Sequence, residues 1–547
     1  MVSVRAKVPG LARFRVAQRL LVLLGIVLGL TLVLVRLDDI YLWQDEAETA
    51  LVARHLLKFG LPLSNDGYDW VQQSSSPFTE FASNYVWIYH SWLQYAITAA
   101  SFLVLGQQTT LAARLPFALI GMAVVVFYGL FLGRWLGRRR LVWVSVILLL
   151  LCVPFLLLMR QCRYYALAAL FTLAVVDSFL RVRNGDCWAV PYFVLSAVLL
   201  YHAHYGAFFP VLLALGLDWL LIRPRCAFPR RFLSAILLII MLVLPWAWYM
   251  RVLGRGDPFR LDRFLAHVVQ HVVFITAWLV PTALCAVVLV AWWQRHRRPN
   301  WSLSDSEMRY SQLVLLIVGT NVLSLSASAA FDWVYFRYMV HLIPFLLSIV
   351  AIGIGLLLDR WPVVGYLTFA VCACCNLVAL VPYGLPPVRN MAIAALWPSS
   401  PAFQSLQEVW RAAGQFRSEP LMYLQELSHS YEGPNEGLVA YLNAHAEPGQ
   451  TAAVNYEDLP VMFYTDLRVL GGLGLHGLDV ESRPDWVVDR RHGPYRDLLA
   501  QIVRSGTYEL IELPYPDIRW ENRPEPGVHN YLTVEDAPPV ILYRRMD

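Results

Sequence analysis

Apolar runs of roughly bilayer length recur along the sequence, and they restrict the fold more than any motif does. A helix needs roughly 20 apolar residues to cross the hydrocarbon core, with about 17 a practical minimum. Candidate spans fall at 18–36, 113–134, 141–158, 164–182, 188–203, 205–222, 231–250, 270–293, 311–330, 337–358 and 361–382. Within lipid a backbone must satisfy its own N–H and C=O groups, so such runs fold as helices. Composition agrees, at 58% hydrophobic and 15% charged against roughly 45–50% and 25% in soluble domains. The expected class is mainly α: a polytopic helical membrane protein.

Segment 84–105 is also apolar, and parity decides whether it crosses. If it does not, the clusters Arg134/Arg138/Arg139/Arg140, Arg181/Arg183, Arg223/Arg225/Arg230/Arg231, Arg295/Arg297/Arg298 and Arg360 share the side of the basic N-terminus. That is what the positive-inside rule asks. Ser91, Gln94, Thr98 and Ser101 recur at helical spacing, which suits an interfacial helix. The expectation is eleven spans, a cytoplasmic N-terminus and a first outer loop of about 37–112 within a transmembrane domain of 1–384. No small-residue cleavage site follows the first run, so it reads as a signal anchor. The net charge of +5 sits in short clusters that set topology, and no nucleic-acid partner is expected. All eight cysteines precede residue 385, in or beside apolar runs, and give no disulfide framework.

Residues 385–547 change character. Strand-like runs (TAAVNY, RVL, DWVV, YELIEL, VILYRR) alternate with helical stretches such as Glu436–His445, predicting a small soluble α/β domain on the outer side. Gly472, Gly474 and Gly477 spell GxGxxG, but LDVESRPDW follows instead of a helix, so no dinucleotide site is read there. Cys372, Cys374 and Cys375 lie in an apolar span and are expected to pack.

The chemical centre is sought in YLWQDEAETALVARHLLKFGLP, residues 41–62. Asp45 and Glu46 open an amphipathic helix that Gly60 and Pro62 end. Asp45 reads as the helix N-cap or as a general base, and the two roles are compatible. Asp38, Asp39 and Glu48 crowd the same surface, facing outer loops that carry Arg160 and Arg163, then Arg251, Arg255, Arg260 and Arg263, then Arg337. Positive charge retained on the outer face needs a reason, and binding a phosphate is one. Tyr164, Tyr165 and Tyr338 beside these arginines read as substrate contacts or as interfacial aromatics. His202 and His204 are two residues apart and cannot share a helical face, so a zinc pair is not expected; a hydrogen bond in the turn or to substrate is. His90 is placed to reach the same cavity or to anchor at the headgroups.

The ordered segments DEAETALVARHLLKFGLP, HSWLQY, LVLGQQTTLAARLPFALIG, RQCRYY and FRYMVHLIP resemble the GT-C superfamily of integral-membrane glycosyltransferases. The nearest branch is that of the bacterial protein-O-mannosyltransferase-like proteins, including the lipid A aminoarabinose transferases. The similarity covers roughly 18–385, and YLNAHAEPGQTAAVNYEDLPVMFYTDLRVLGG with RPDWVV resembles the outer domain often attached to such proteins. The resemblance implies a polyprenyl-phosphate-sugar donor, inverting transfer, and Asp45 as the catalytic carboxylate with Glu46 its neighbour. Many relatives carry a basic residue and two prolines where this chain has His90, Ser91 and Trp92. No cofactor is assigned; a divalent metal is left open, with Asp66, Asp69 and Glu80 as further helpers.

The expectation is therefore a glycosyltransferase of the bacterial inner membrane acting at its periplasmic face. Asp45 serves as base; Arg160, Arg163, Arg337 and His90 hold the donor phosphate; Tyr164, Tyr165, His202, His204 and Tyr338 contact substrate. The acceptor is an envelope lipid, glycan or protein. One alternative is a transporter or flippase of lipid-linked sugars, which would favour ionisable groups at the bilayer midplane and repeated halves. The other is a non-catalytic membrane subunit whose outer domain binds glycan.

Overall fold

The computed structural model describes residues 23–73, 80–222, 229–252, 258–294, 303–328, 334–380, 383, 401–519 and 521–547. The basic N-terminal arm, Arg255 and several of the basic clusters' members lie outside them. The chain is a multi-pass helical membrane protein with a small sheet domain at its C-terminal end. Helices Thr110–Trp135, Tyr165–Arg183, Arg231–Tyr249, Asp305–Ser328 and Phe336–Arg360 are long and apolar enough to cross a bilayer.

Two expected spans are broken. Arg139–Leu150 meets Val153–Met159 at 63°, and Leu261–Trp278 meets Thr282–Gln294 at 94°. Pro154 and Pro281 stand at the breaks, where a missing N–H and a fixed φ stop the preceding helix. The other four expected spans are the shorter helices Leu23–Leu34, Ala189–Ala203, Tyr205–Leu221 and Pro362–Cys374. By length and composition the described helices thus provide five spans, or up to seven with each bent pair counted once, fewer than eleven. Of 84–105, only Leu93–Leu105 is helical, and its 13 residues reach about 20 Å at 1.5 Å per residue. That is short of a hydrocarbon core of about 30 Å, and its Gln94, Tyr95 and Thr98 are buried in the protein.

Helix Tyr165–Arg183 runs through the centre of the bundle, packed against Thr110–Trp135 and Ala189–Ala203. Ion pairs tie helix ends together at its C-terminal end: Arg134–Asp177 (2.6 Å), Arg183–Asp218 (2.7 Å), and Arg138 with both Glu307 (2.8 Å) and Asp359 (2.7 Å). Arg163 stands just before its first residue. The 19-residue helix spans about 28 Å, so the ion-paired basic end and the Asp45 end lie on opposite ends of the bundle.

The C-terminal strands follow the expected runs closely. β1 (Thr451–Val454), β2 (Arg468–Gly471), β3 (Trp486–Asp489), β4 (Tyr508–Pro516) and β5 (Pro539–Arg545) form one sheet of order β2-β1-β3-β5-β4. β1 is parallel to β2 and β3, whereas β5 is antiparallel to β3 and β4. Helices Asp458–Tyr464 and Arg496–Ser505 make the crossovers. Residues 472–477 form a turn after β2 with no helix behind it.

The domain grips the first loop at Tyr41. Tyr41 N donates to Glu436 Oε1 (2.6 Å), its carbonyl accepts from Asn522 Nδ2 (3.2 Å), and its ring stacks on Tyr464 at 4.0 Å. These contacts fix the entry of the helix that carries Asp45.

Candidate active site

The first-loop helix runs Gln44–Phe59 with Trp43 as its N-cap and no side-chain capping bond. Gly60 ends it at φ 73°, the left-handed turn that glycine makes without strain. Asp45 is therefore not the cap but the second helical residue, where its charge still complements the helix dipole. Because successive residues point about 100° apart, the first turn faces four ways. Trp43 Nε1 donates to Gln161 Oε1 (2.6 Å), Gln44 Nε2 donates to Asp458 Oδ1 (2.8 Å), Asp45 faces the arginines, and Glu46 faces Arg114.

Asp45 lies between two guanidinium groups. Its Oδ2 is 3.2 Å from Arg337 Nη2 and 3.9 Å from Arg163 Nη2. Both arginines are almost fully buried, whereas the Asp45 side chain keeps 15% of its surface exposed. It is the member of the trio that a substrate can reach.

Each arginine is held from behind by another carboxylate. Arg163 Nη1 donates to Asp45 O (2.8 Å), Glu48 Oε1 (3.0 Å) and Thr49 Oγ1 (3.0 Å), residues that share one face at i, i+3 and i+4. Glu48 is fully buried and also accepts from Tyr95 Oη (2.7 Å) and Gln73 Nε2 (3.2 Å). Burial pushes its acidity down, but Arg163 and His90 outweigh burial and hold its carboxyl at about 2. It stays ionised. Arg337 Nη1 pairs with Glu525 Oε1 at 3.1 Å, a residue of the C-terminal domain.

His90 precedes the helix at Leu93 and bridges the network, its Nε2 3.2 Å from Arg163 Nη2 and its Nδ1 3.4 Å from Glu48 Oε1. With Arg163 donating, Nε2 accepts and the proton resides on Nδ1 toward Glu48. Burial lowers its pKa, with Glu48 opposing that shift. Tyr164 stacks on His204 at 4.2 Å and 7°, with Tyr338 6.4 Å further along. Tyr165 is buried and interacts electrostatically with Arg337 and Asp45.

Asp45, Arg163, Arg337, His90, Tyr164, Tyr165, His204 and Tyr338 thus come together, and three expected residues do not. Arg160 spends its donors on Leu32 O (3.4 Å), Arg36 O (2.8 Å) and Tyr423 Oη (2.9 Å), tying the first helix to the C-terminal region. Glu46 is saturated by Arg114 Nε (2.9 Å), Arg114 Nη2 (2.6 Å) and Cys162 N (2.7 Å), so it is a structural anion. His202 turns its edge to Trp246 at 5.7 Å. Asp66, Asp69 and Glu80 accept backbone N–H groups of Tyr68 (2.9 Å), Val469 (3.1 Å) and Gln73 (2.8 Å). Among the described residues no three His, Cys, Asp or Glu side chains gather as metal ligands; the carboxylates around Asp45 are taken up by arginine.

Sequence reading passed over Glu48 as a partner, Arg114 and Glu525. For Glu48 a signal existed in its i, i+3 spacing from Asp45. For Glu525, 480 residues from Asp45 in number, there was none.

Two carboxyls at the seam between loop and C-terminal domain make its docking pH-dependent. Burial pushes Asp69, bonded to Val469 N, up to about 7, and Asp458, bonded to Gln44 Nε2, also to about 7. From their ordinary value of 3.8 up to about 7 the folded form binds more protons than the unfolded one, so stability falls as pH rises through this window. Protection factors for hydrogen exchange of residues 451–471 should fall from pH 5 to pH 7.5, with Asp458→Asn flattening the slope; pH-independent protection in the wild type would contradict this.

No family model and no curated protein matches the sequence. The fold, however, matches solved structures. The apo structure of ArnT from Cupriavidus metallidurans superposes with a TM-score of 0.58 at 14% identity, covering 96% of this chain and 98% of that one. The same protein bound to undecaprenyl phosphate gives 0.51 at 12% identity, covering 82% and 85%. This chain thus shares the fold of ArnT along nearly its whole length.

Proposed function

We propose that this protein is an inverting glycosyltransferase that moves a sugar from a polyprenyl-phosphate donor to an envelope lipid, glycan or protein. The observation that carries the reading is the reachable Asp45 carboxylate set between buried Arg163 and Arg337. The donor's phosphate takes hydrogen bonds from the two guanidinium groups, which are drawn off Asp45 as it enters. Asp45, released from part of its pairing, accepts the proton of the acceptor hydroxyl or amine as that oxygen or nitrogen attacks the sugar carbon. The carbon–oxygen bond to phosphate breaks on the opposite face, and the phosphate's developing charge is neutralised by the arginines. The stacked rings of Tyr164 and His204 with Tyr338 offer aromatic surface to the sugar.

The binding of undecaprenyl phosphate by structurally similar ArnT supports a lipid-phosphate donor. The ion-paired basic end at the opposite end of the bundle supports, by the positive-inside rule, a reading in which that end is cytoplasmic and Asp45 and the C-terminal domain work at the periplasmic face of a bacterial inner membrane. The test is binding of undecaprenyl phosphate to the full chain in nanodiscs. Arg337→Lys keeps the charge but loses the fork that serves Asp45 and Glu525 together. One charge-assisted hydrogen bond is worth roughly 1.5–3 kcal/mol, so affinity should fall about 10- to 100-fold. Unchanged affinity would remove Arg337 from the phosphate site.

A further inference from the structure

The guanidinium of Arg337 is stretched between two carboxylates from opposite ends of the chain. Nη2 faces Asp45 Oδ2 at 3.2 Å and Nη1 faces Glu525 Oε1 at 3.1 Å. The other oxygen of Glu525 accepts from Phe336 N at 2.9 Å, so one carboxylate fixes both the side chain and the backbone beside it. A planar fork gripped at one nitrogen has little freedom left at the other.

The segment that delivers Glu525 is built to be stiff. It reads Arg523-Pro524-Glu525-Pro526-Gly527, and the prolines on either side fix φ. Gly527 sits at φ 83°, where a Cβ would also come within 3.2 Å of Ala412 Cβ. Glu525 O accepts from Val528 N (3.2 Å) and His529 N (3.1 Å), and His529 Nε2 is 2.7 Å from Glu426 Oε2. Glu525 is 4% exposed, and Arg523 Nη2 lies 3.9 Å from its Oε1. Among the described residues the charged and titratable groups facing Glu525 include Arg337, Arg523 and Tyr165, and those facing Asp45 include Arg163, Arg337, His90, Tyr165 and Tyr338.

We propose that the C-terminal domain completes the active site, with Glu525 a positioning residue that holds the Arg337 guanidinium between itself and Asp45. This rests on the glycosyltransferase reading above. Sharing Arg337 has two effects. It keeps the guanidinium where the phosphate's developing charge meets it as the bond to sugar breaks, an interaction realised in the transition state. It also leaves Asp45 less neutralised than an undivided ion pair would, and so more basic. Without Glu525, Arg337 collapses onto Asp45 and spends its charge on the base.

The experiment compares Glu525→Gln with wild type, using full-length enzyme in nanodiscs and the undecaprenyl-phosphate-linked sugar that the wild type turns over. Expected for E525Q is a kcat about 10- to 100-fold lower, the scale of a misplaced catalytic group. The acid limb of the kcat profile should shift about one pH unit lower as Arg337 pairs fully with Asp45. Undecaprenyl phosphate should bind within about threefold of wild type, because ground-state charge at the site is not reduced. Wild-type kcat with an unmoved acid limb overturns the proposal. So does a parallel loss of kcat and lipid-phosphate binding with an unmoved limb, which is what general loss of structure gives. If E525Q does not fold, Glu525→Asp is read instead: its retracted carboxylate should lower kcat while phosphate binding is kept, and wild-type kcat overturns the proposal there too. An active Asp45→Asn enzyme would instead sink the parent reading, whatever Glu525 does.

Discussion

Asp45→Asn is expected to reduce turnover about 10²- to 10⁴-fold, the usual worth of a positioned general base, while undecaprenyl phosphate still binds. The two effects separate because of where Asp45 sits. It is not the N-cap, Trp43 is, so an isosteric amide costs the helix only its dipole term of about 0.3–1 kcal/mol. Arg163 and Arg337 keep Glu48 and Glu525 as partners at 3.0 Å and 3.1 Å, so neither buried charge is orphaned. An amide cannot take the proton, yet it removes the anion that competes with phosphate for the guanidinium groups, so donor affinity should hold or rise. The checks are single-turnover rate, lipid-phosphate affinity and thermal midpoint on one preparation. A folded Asn variant that turns over within about twofold of wild type would end the base assignment.

Arg114→Ala is expected to be the most destabilising single change at the site, at about 3–5 kcal/mol for a buried ion pair broken on one side. Arg114 donates to Glu46 through two nitrogens at 2.9 Å and 2.6 Å. It also donates to Leu37 O (2.9 Å), Ile40 O (2.7 Å) and Tyr41 O (3.1 Å). Removing it leaves the buried Glu46 anion without its countercharge and the carbonyls of Leu37 and Ile40 without this donor, while Tyr41 O keeps Asn522 Nδ2, all in the segment leading into the Asp45 helix. The thermal midpoint should drop, and the chain between residues 37 and 46 should become open to protease. The double variant Arg114→Met with Glu46→Gln should recover part of the loss, since it leaves no buried charge behind. A single variant that melts like wild type would show that Glu46 does not depend on this partner.

The distinction between Asp45 and Glu46 shows where sequence reading stops. Side by side they look like one acidic pair, and a one-residue step of about 100° separates a reachable carboxylate from one that is 0% exposed and fully bonded. The two arginines of RQCRYY divide in the same way. Arg163 meets Asp45, whereas Arg160, three residues earlier, turns to Leu32, Arg36 and Tyr423. Which arginine serves the site depends on the path of the short turn between Met159 and Tyr165, and hydropathy does not encode it. The same holds for the bends at 63° and 94°: the prolines mark them, but the angles come from packing.

What the sequence determined by itself was set by local physics. Backbone groups in lipid must bond within their own segment, so apolar runs of the right length are helices in any context. Alternation with turn residues made the C-terminal strands readable. A run of acidic residues after the first span marked the loop that carries Asp45. The tertiary structure alone decided which charges meet. Asp45, Arg163, Arg337, Glu48 and Glu525 come from four separate parts of the chain. In a buried site an unpaired charge costs several kcal/mol, so each must find a partner, but the partner is chosen by the packing of the bundle and the docking of the outer domain. The DE pair was legible as a place; its division into a reachable carboxylate and a structural anchor was fixed only when Arg114 came to one carboxylate and Arg337, held by Glu525, to the other.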